Sequence, residues 1–325
     1  MAPSTPTPEI LADRIRSGDR TTLARAMTLV ESRLEADQDV AAETLRLLMP
    51  DIGSTHRIGV SGPPGVGKST LIDTLGMRLL EQGHRVAVLA IDPSSSRSGG
   101  SILGDKSRMS RLALEDAAFI RPSPSDLALG GVTRRTREVM FLCEAAGFDR
   151  LLIETVGVGQ SEIEVEGLTD SFLVLIQPGS GDELQGIKKG ILEVADAIAV
   201  NKADGEGLAL ARETVAEYSA ALRYQRSRLE GWTPTVTAIS GKVGTGVEEL
   251  VDVLAEHRKA LVASGQWESR RTEGLEAWVR QLAEEALLRA WRAAPDLGER
   301  LKVQADRVAT GELTCRRAAD ELADH

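Results

Sequence analysis

Cysteine is nearly missing from this sequence. Only Cys143 and Cys315 occur, too few and too isolated for a disulfide framework or a thiolate metal cluster. Their scarcity fits a reducing, cytoplasmic compartment. Histidine is equally sparse, and His56, His84, His257 and His325 are scattered, so a metal site built from imidazoles is not expected. Aromatics make up 3% of the chain, which argues against a stacking platform for single strands. Positive charge is short as well. Lys and Arg number 39 against 49 Asp and Glu, a formal net charge of -10, the wrong sign for non-specific nucleic-acid binding. No apolar run approaches the ~20 residues of a membrane span. The segment Met1 to Pro8 is rich in Pro, Ser and Thr and lacks the apolar stretch of a signal peptide.

What is present is a patterned, globular sequence. Its 325 residues suit two domains, or one α/β domain with extensions. The first fifty residues read as three helices. Ile10, Leu11 and Ile15 share one face. Leu23, Ala26, Met27, Val30 and Leu34 follow at helical spacing behind Asp19 as N-cap, and Leu45, Leu47 and Leu48 belong to a third helix that Pro50 ends. Short Val- and Ile-rich runs then recur at Arg57–Ser61, Val86–Ile91, Leu151–Thr155, Phe172–Ile176, Ala197–Val200 and Thr235–Ile239. They have the length and continuity of buried strands, and helical patterns separate most of them. That alternation predicts a mostly parallel sheet covered on both faces. Strands stop after Leu261. Leu275, Trp278, Val279, Leu282, Ala286 and Leu287 form a long helical stripe, Pro295 breaks it, and shorter helices follow around Leu301 and Ala319. Trp267, Trp278 and Trp291 lie in this tail, whose apolar surface needs a partner, either the chain's own body or, preferably, a second copy. The expected division is a helical extension over 1–55, an α/β domain over 56–262 and a helical arm over 263–325.

The run Gly62-Pro63-Pro64-Gly65-Val66-Gly67-Lys68-Ser69-Thr70 fits G-x-x-x-x-G-K-[ST] between a predicted strand and a predicted helix. Glycines there let backbone N–H groups turn toward phosphate oxygens, and the helix N-terminus adds its dipole. Lys68 is placed to reach the β- and γ-phosphates and Ser69 to ligate Mg²⁺. A dinucleotide fingerprint starting at Gly65 fails, because Thr70 stands at its last glycine. Asn201-Lys202-Ala203-Asp204 follows the run Ala197–Val200. The Asp204 carboxylate can accept from guanine N1–H and N2–H₂, a donor pair adenine lacks, so an unpaired carboxylate would penalise ATP. Asn201 would tie loops together, the Lys202 stem would pack on the base, and Ser240-Gly241-Lys242 could offer backbone N–H groups to guanine O6. Between these sites, Asp92 ends a strand, Asp105 follows a Gly- and Ser-rich stretch, and Glu154 ends the next strand, where a P-loop enzyme carries the acid that holds Mg²⁺. The plainer reading of Asp92 and Asp105 is a solvated loop acid or helix cap. Gly157 could sense the γ-phosphate and Gln160 could orient water. The Gly-rich stretch Gln177–Lys189 reads as a hinged loop or a plain connection.

Taken together, Gly62–Thr70, Ile91-Asp92-Pro93-Ser94, Glu154-Thr155-Val156-Gly157-Val158-Gly159-Gln160 and Gln177–Lys188 resemble the metallocentre-assembly group of P-loop GTPases. The closer resemblance is to the methylmalonyl-CoA-mutase-associated GTPase chaperones of the MeaB/ArgK type, over about Leu11 to Leu322. That resemblance implies an α/β P-loop fold with helical extensions and slow hydrolysis of GTP to GDP with Mg²⁺. It implies a homodimer through the C-terminal helices, and an adenosylcobalamin-dependent methylmalonyl-CoA mutase as client, whose cofactor delivery and protection it would govern. It assigns Ser69, Asp105 and Glu154 to the Mg²⁺ shell, with Asp92 joining them, places Asp92 and Gln160 near the attacking water, and makes Gln177–Lys188 a third switch. Lys188 becomes a candidate for transition-state charge once the mutase docks. Metal delivery is disfavoured by the isolated cysteines and the lack of a His tract. The D-x-H-x-x-G run of many cobalamin enzymes is also missing. A P-loop kinase or transport ATPase is the competing class, and a signal-recognition-type GTPase ranks lower for want of a Met-rich or basic extension.

Overall fold

The computed structural model describes residues 6–32, 34–92, 109–124, 131–155, 165–179, 193–223 and 229–323. It divides into two compact units, Met1–Gly274 and Leu275–His325. The first opens with α1 (Pro8–Arg16), α2 (Arg20–Glu31) and α3 (Glu35–Leu48). The Asp19 carboxylate caps α2, accepting from the N–H groups of Thr21 at 2.9 Å and Thr22 at 3.1 Å. Two expected face residues fall outside the packing. Leu34 lies beyond α2, at the N-cap of α3, and is exposed, as is Ile10.

Strands and helices then alternate: β1 (His56–Ser61), α4 (Lys68–Glu81), β2 (Val86–Asp92), β3 (Ala118–Pro124), α5 (Gly131–Ala145), β4 (Arg150–Thr155), β5 (Ser171–Ile176), β6 (Ala197–Val200), α6 (Gly207–Leu222), β7 (Thr235–Ala238) and α7 (Val247–Ala263). The strands form one seven-stranded sheet in the order β3-β2-β4-β1-β5-β6-β7, and every pairing is parallel. β3 has no counterpart among the six predicted strands. Its sequence, Ala-Phe-Ile-Arg-Pro-Ser-Pro, carries two prolines that cannot donate to a ladder. An edge strand with one neighbour tolerates them.

Both faces of the sheet are covered, and side chains alternate between them with period two. Ala87, Leu89, Leu151, Ile153, Phe172 and Val174 face α1–α3, α5 and α6 in one apolar cluster. Val88, Leu152, Leu173, Ile58 and Val60 face α4 and α7 in another. The N-terminal helices thus share their core with the sheet. A buried ion pair crosses beneath them: Arg57 Nε donates to Glu144 Oε1 at 2.6 Å, and Glu144 Oε2 accepts from Gly53 N at 2.9 Å.

α8 (Gln266–Arg292) begins in the first unit. Trp267 is buried there with Leu229 and Leu261, so this tryptophan is covered by the chain's own body. Arg271 anchors the same turn through Asp170, donating to Oδ1 at 2.9 Å and Oδ2 at 2.7 Å, and to Thr55 O at 2.5 Å. In the second unit, α9 (Leu297–Ala309) and α10 (Cys315–Ala323) pack together. Arg307 joins them through Glu321 at 2.8 Å, and Arg300 donates to Leu322 O at 3.0 Å.

The Glu144–Arg57 pair gives a stability prediction. Glu144→Ala would leave a buried guanidinium without its anion, a loss of about 3–5 kcal/mol. Urea unfolding should show the midpoint falling accordingly, whereas an unchanged midpoint would mean the pair is dispensable.

Candidate functional site

The sheet topology picks out one crevice. From β1 the chain goes first to one side, through β2 and β3 with β4 returning beside β1, and then to the other through β5, β6 and β7. Ligands of open α/β sheets bind beyond the carboxyl ends of strands at such a divergence. The loop Gly62–Gly67 lies there, between the end of β1 and the start of α4.

Close approach requires its glycines. Gly67 has φ +97°, and a Cβ there would sit 2.6 Å from Asn201 Nδ2. At Gly62 a Cβ would sit 2.4 Å from the Leu175 carbonyl oxygen. The loop is therefore pressed against β5 and Asn201, while its Gly65 faces open space. The Lys68 ammonium donates to the carbonyls of Gly62 at 2.7 Å and Pro63 at 3.2 Å, which holds it across the loop. Ser69 Oγ donates to Glu154 Oε1 at 2.8 Å, and both residues are buried. Glu154 arrives because β4 pairs with β1 so that Val60 stands beside it. A hydroxyl and a carboxylate oxygen at this spacing form a hard donor set that suits Mg²⁺, an ion that takes oxygen ligands and keeps several waters.

The segment after β6 completes the crevice. The Asn201 carboxamide bridges two loops: Nδ2 donates to Val66 O at 2.7 Å, and Oδ1 accepts from Gly241 N at 2.9 Å. Lys202 has φ +63°, and among the described residues no other non-glycine is left-handed. Such a conformation costs roughly 1–2 kcal/mol. It is held by flanking backbone bonds, Asn201 N to Ile176 O and Ala203 N to Ile239 O, each 2.9 Å. The result leaves the Lys202 side chain exposed while Asn201 and Ala203 are buried. Ser240 Oγ donates to Asp204 Oδ2 and accepts from Val243 N at 3.1 Å, which fixes the carboxylate.

A further set of contacts has no signal in the sequence. Gly241 packs on α4, where an added Cβ would lie 3.1 Å from the Leu71 backbone. Thr74 Oγ1 donates to Gly241 O at 2.6 Å and accepts from Arg111 Nη2 at 2.7 Å. Arg111 Nε in turn pairs with Asp73 at 2.7 Å. Asp73 and Thr74 sit one turn beyond the phosphate motif, outside any motif, so only the fold reveals them.

The structure thus brings together Gly62 to Thr70, Glu154, Asn201, Lys202, Asp204 and Ser240 to Lys242. Asp92 is the last residue of β2, beside Pro124 in register. Asp105, Gly157, Gln160 and Lys188 lie outside the described residues, as does most of Gln177–Lys189. At the start of that stretch, Gly179 N donates to Thr214 Oγ1 at 3.0 Å. Cys143 is buried and its thiol is pushed up by burial, so it remains protonated. Among the described residues no His, Cys, Asp and Glu group could hold a metal by itself, and no helix is long and apolar enough to cross a membrane.

This fold and site define a P-loop GTPase. Residues 23–296 match the family described as methylmalonyl Co-A mutase-associated GTPase MeaB, and the chain belongs to that family. It is 51% identical over 313 residues to the "Probable GTPase" of Mycobacterium tuberculosis, covering 96% of this chain and 93% of that one. It is 48% identical over 278 residues to GTPase ArgK of Escherichia coli, covering 85% and 83%. The mouse protein named methylmalonic aciduria type A homolog, mitochondrial, is 44% identical over 315 residues, covering 94% and 76%. The crystal structure of a protein named LAO/AO transport system kinase is 37% identical in sequence and superposes with a TM-score of 0.79, covering 100% of this chain and 99% of that one. The chain is accordingly a GTP hydrolase.

Asn201→Ala would leave Val66 O and Gly241 N without this partner. We expect a stability loss of about 2–4 kcal/mol, with weaker GDP binding because both loops lose their common tie. Urea unfolding and GDP titration measure the two effects, and a variant with unaltered GDP affinity would remove Asn201 from the account.

Proposed function

We propose that this GTPase is a chaperone of an adenosylcobalamin-dependent methylmalonyl-CoA mutase, gating delivery of the cofactor and protecting or reactivating the enzyme. The family match over residues 23–296 carries this reading, and the name of the mouse relative agrees with it. In this reading Gly62, Pro63, Pro64, Gly65, Val66, Gly67, Lys68, Ser69 and Thr70 hold the phosphates. Lys68 trades its two carbonyl contacts for phosphate oxygens. Asn201, Lys202, Asp204 and Ser240–Lys242 hold guanine, with Asp204 accepting from N1–H and N2–H₂.

Ser69 and Glu154, with Asp92 and Asp105, are the residues that would hold Mg²⁺. When bound, that ion supplies neutralisation of charge on the β- and γ-phosphate oxygens. Hydrolysis breaks the bond from the γ-phosphorus to the bridging oxygen as water attacks. Asp92 and Gln160 are assigned to position that water. GDP leaves with the bridging oxygen, and phosphate carries the oxygen from water. Lys188 is assigned to stabilise charge on the γ-phosphoryl group when the mutase docks. Loss of γ-phosphate contacts would release the switch segments, and that change is what can bias the partner.

A homodimer through the second unit is part of the proposal. Val279, Leu287, Leu288, Leu301 and Val303 are exposed there, more apolar surface than an isolated helical arm comfortably leaves in water. The two free cysteines suit a cytoplasmic setting. A transport-associated kinase is the competing reading, supported by the name of the similar crystal structure.

GTP hydrolysis measured with and without the mutase, with ATP as control, tests the proposal. Acceleration of GTP hydrolysis alone supports it; a rate indifferent to the mutase refutes the client. Asp204→Asn should cut the preference for GTP over ATP about a hundredfold or more, since the site loses its paired acceptor; competition binding reads that ratio. Lys188→Ala should lower the mutase-stimulated rate more than the basal rate, and equal losses would contradict its coupling role.

A further inference from the structure

The amino ends of the strands, opposite the phosphate loop, carry a second concave feature. β1 begins there at His56 and β4 at Arg150, while Leu79 near the end of α4 and Leu254 of α7 lie over them. Between them is a cavity of about 180 Å³. Ile58, Leu79 and Leu254 give it apolar walls, and Arg150, Arg258, Lys259 and His84 give it cationic or imidazole ones. No carboxylate is among its lining residues. In a chain of net charge -10 this is a local reversal of sign.

Two nearby acids are bonded to lining residues. Asp149 Oδ2 accepts from His84 Nδ1 at 2.8 Å and lies 3.3 Å from Arg150 Nη1. His84 Nε2 lies 2.9 Å from Arg150 Nη2, so the imidazole links Asp149 to Arg150. Glu256 is bonded to Lys259 at 2.7 Å on the exposed side of α7. Arg258 has no carboxylate partner among the described residues. It donates to Ser54 O at 2.9 Å and lies over the Trp267 ring at 5.1 Å. Burial, with the charges of Arg150 and Arg258, holds the His56 imidazole well below its ordinary range. Burial also lowers Arg150, opposed by Asp149 and reinforced by Arg258. Two guanidiniums, Arg150 paired with Asp149 and Arg258 without a carboxylate among the described residues, therefore line one space.

We propose that this cavity binds a small phosphate monoester. Arg150, Arg258 and Lys259 line the cavity while the carboxylates bonded to Arg150 and Lys259 do not, and Arg258 has none among the described residues. That excess suits an anion, and guanidinium groups match phosphate oxygens in geometry. The apolar walls suit a body of a few carbon atoms, and the volume admits little more. The site is distinct from the nucleotide crevice, because β1 runs between them from His56 to Ser61.

The test uses full-length protein saturated with GDP and Mg²⁺, so that the phosphate loop is occupied. Glycerol 3-phosphate, inorganic phosphate and succinate are titrated by calorimetry, with the histidine ring signals followed by NMR. Saturable binding of glycerol 3-phosphate, moving the His56 and His84 signals, is expected, with weaker binding of succinate. Arg258→Ser removes a cation, and Ala255→Phe fills the space without changing charge. Each should weaken binding about tenfold or more, with basal GTP hydrolysis retained as the folding control. No saturation by about 10 mM, equal binding of succinate, or affinity unchanged in both variants would overturn the proposal.

Discussion

The nucleotide crevice depends on one side chain spent wholly on backbone. The Asn201 carboxamide donates to Val66 in the phosphate loop and accepts from Gly241 in the loop after β7. Both bonds require Asn201 to arrive at the end of β6 with its side chain turned toward β1. The parallel pairing of β5 with β6 provides that placement, and Gly67 leaves the space that the amide occupies. A longer or branched side chain could not satisfy both loops at once. The strained Lys202 and the oriented Asp204 follow from the same turn. Strain of this kind persists only where the surroundings over-determine it, and the bonds on either side of Lys202 do so.

Much of this was legible in the sequence, for a definable reason. The phosphate motif, the acid ending β4 and the Asn-Lys-x-Asp turn are local patterns, each at the end of a strand whose apolar run marks it. The resemblance to a known family rested on those same residues, and the family match bears it out. What could not be read was nonlocal. β3 hides because an edge position forgives its prolines. Thr74, Asp73 and Arg111 matter only because α4 lies against the loop at Gly241. Trp267 lies in a tail for which a second copy is the preferred cover on sequence grounds, yet it packs with Leu229 and Leu261 and its turn is tied down by Arg271 and Asp170. Leu34 kept the helical period of α2 but fell past the end of that helix.

The sheet also gives the molecule two chemically different ends. At the carboxyl end of β1, glycines and a helix N-terminus make a cradle for a nucleotide's phosphates. At its amino end, Arg150 and Arg258 line a recess without carboxylates. α4 spans the same distance, starting at Lys68 and ending near that recess. A parallel strand and the helix that follows it are stiff, closely packed elements, so both ends of the sheet rest on one framework.

Guanine selection by the Asn201–Asp204 turn is the central claim, and equilibrium competition against a fluorescent GDP analogue tests it most directly. GDP should displace the analogue at least about a hundredfold better than ADP, as expected when a site's polar groups would be left unpaired by the wrong base. Equal displacement by ADP would contradict the account, because Asp204, Ser240 and the Asn201 tie would then have no base to recognise.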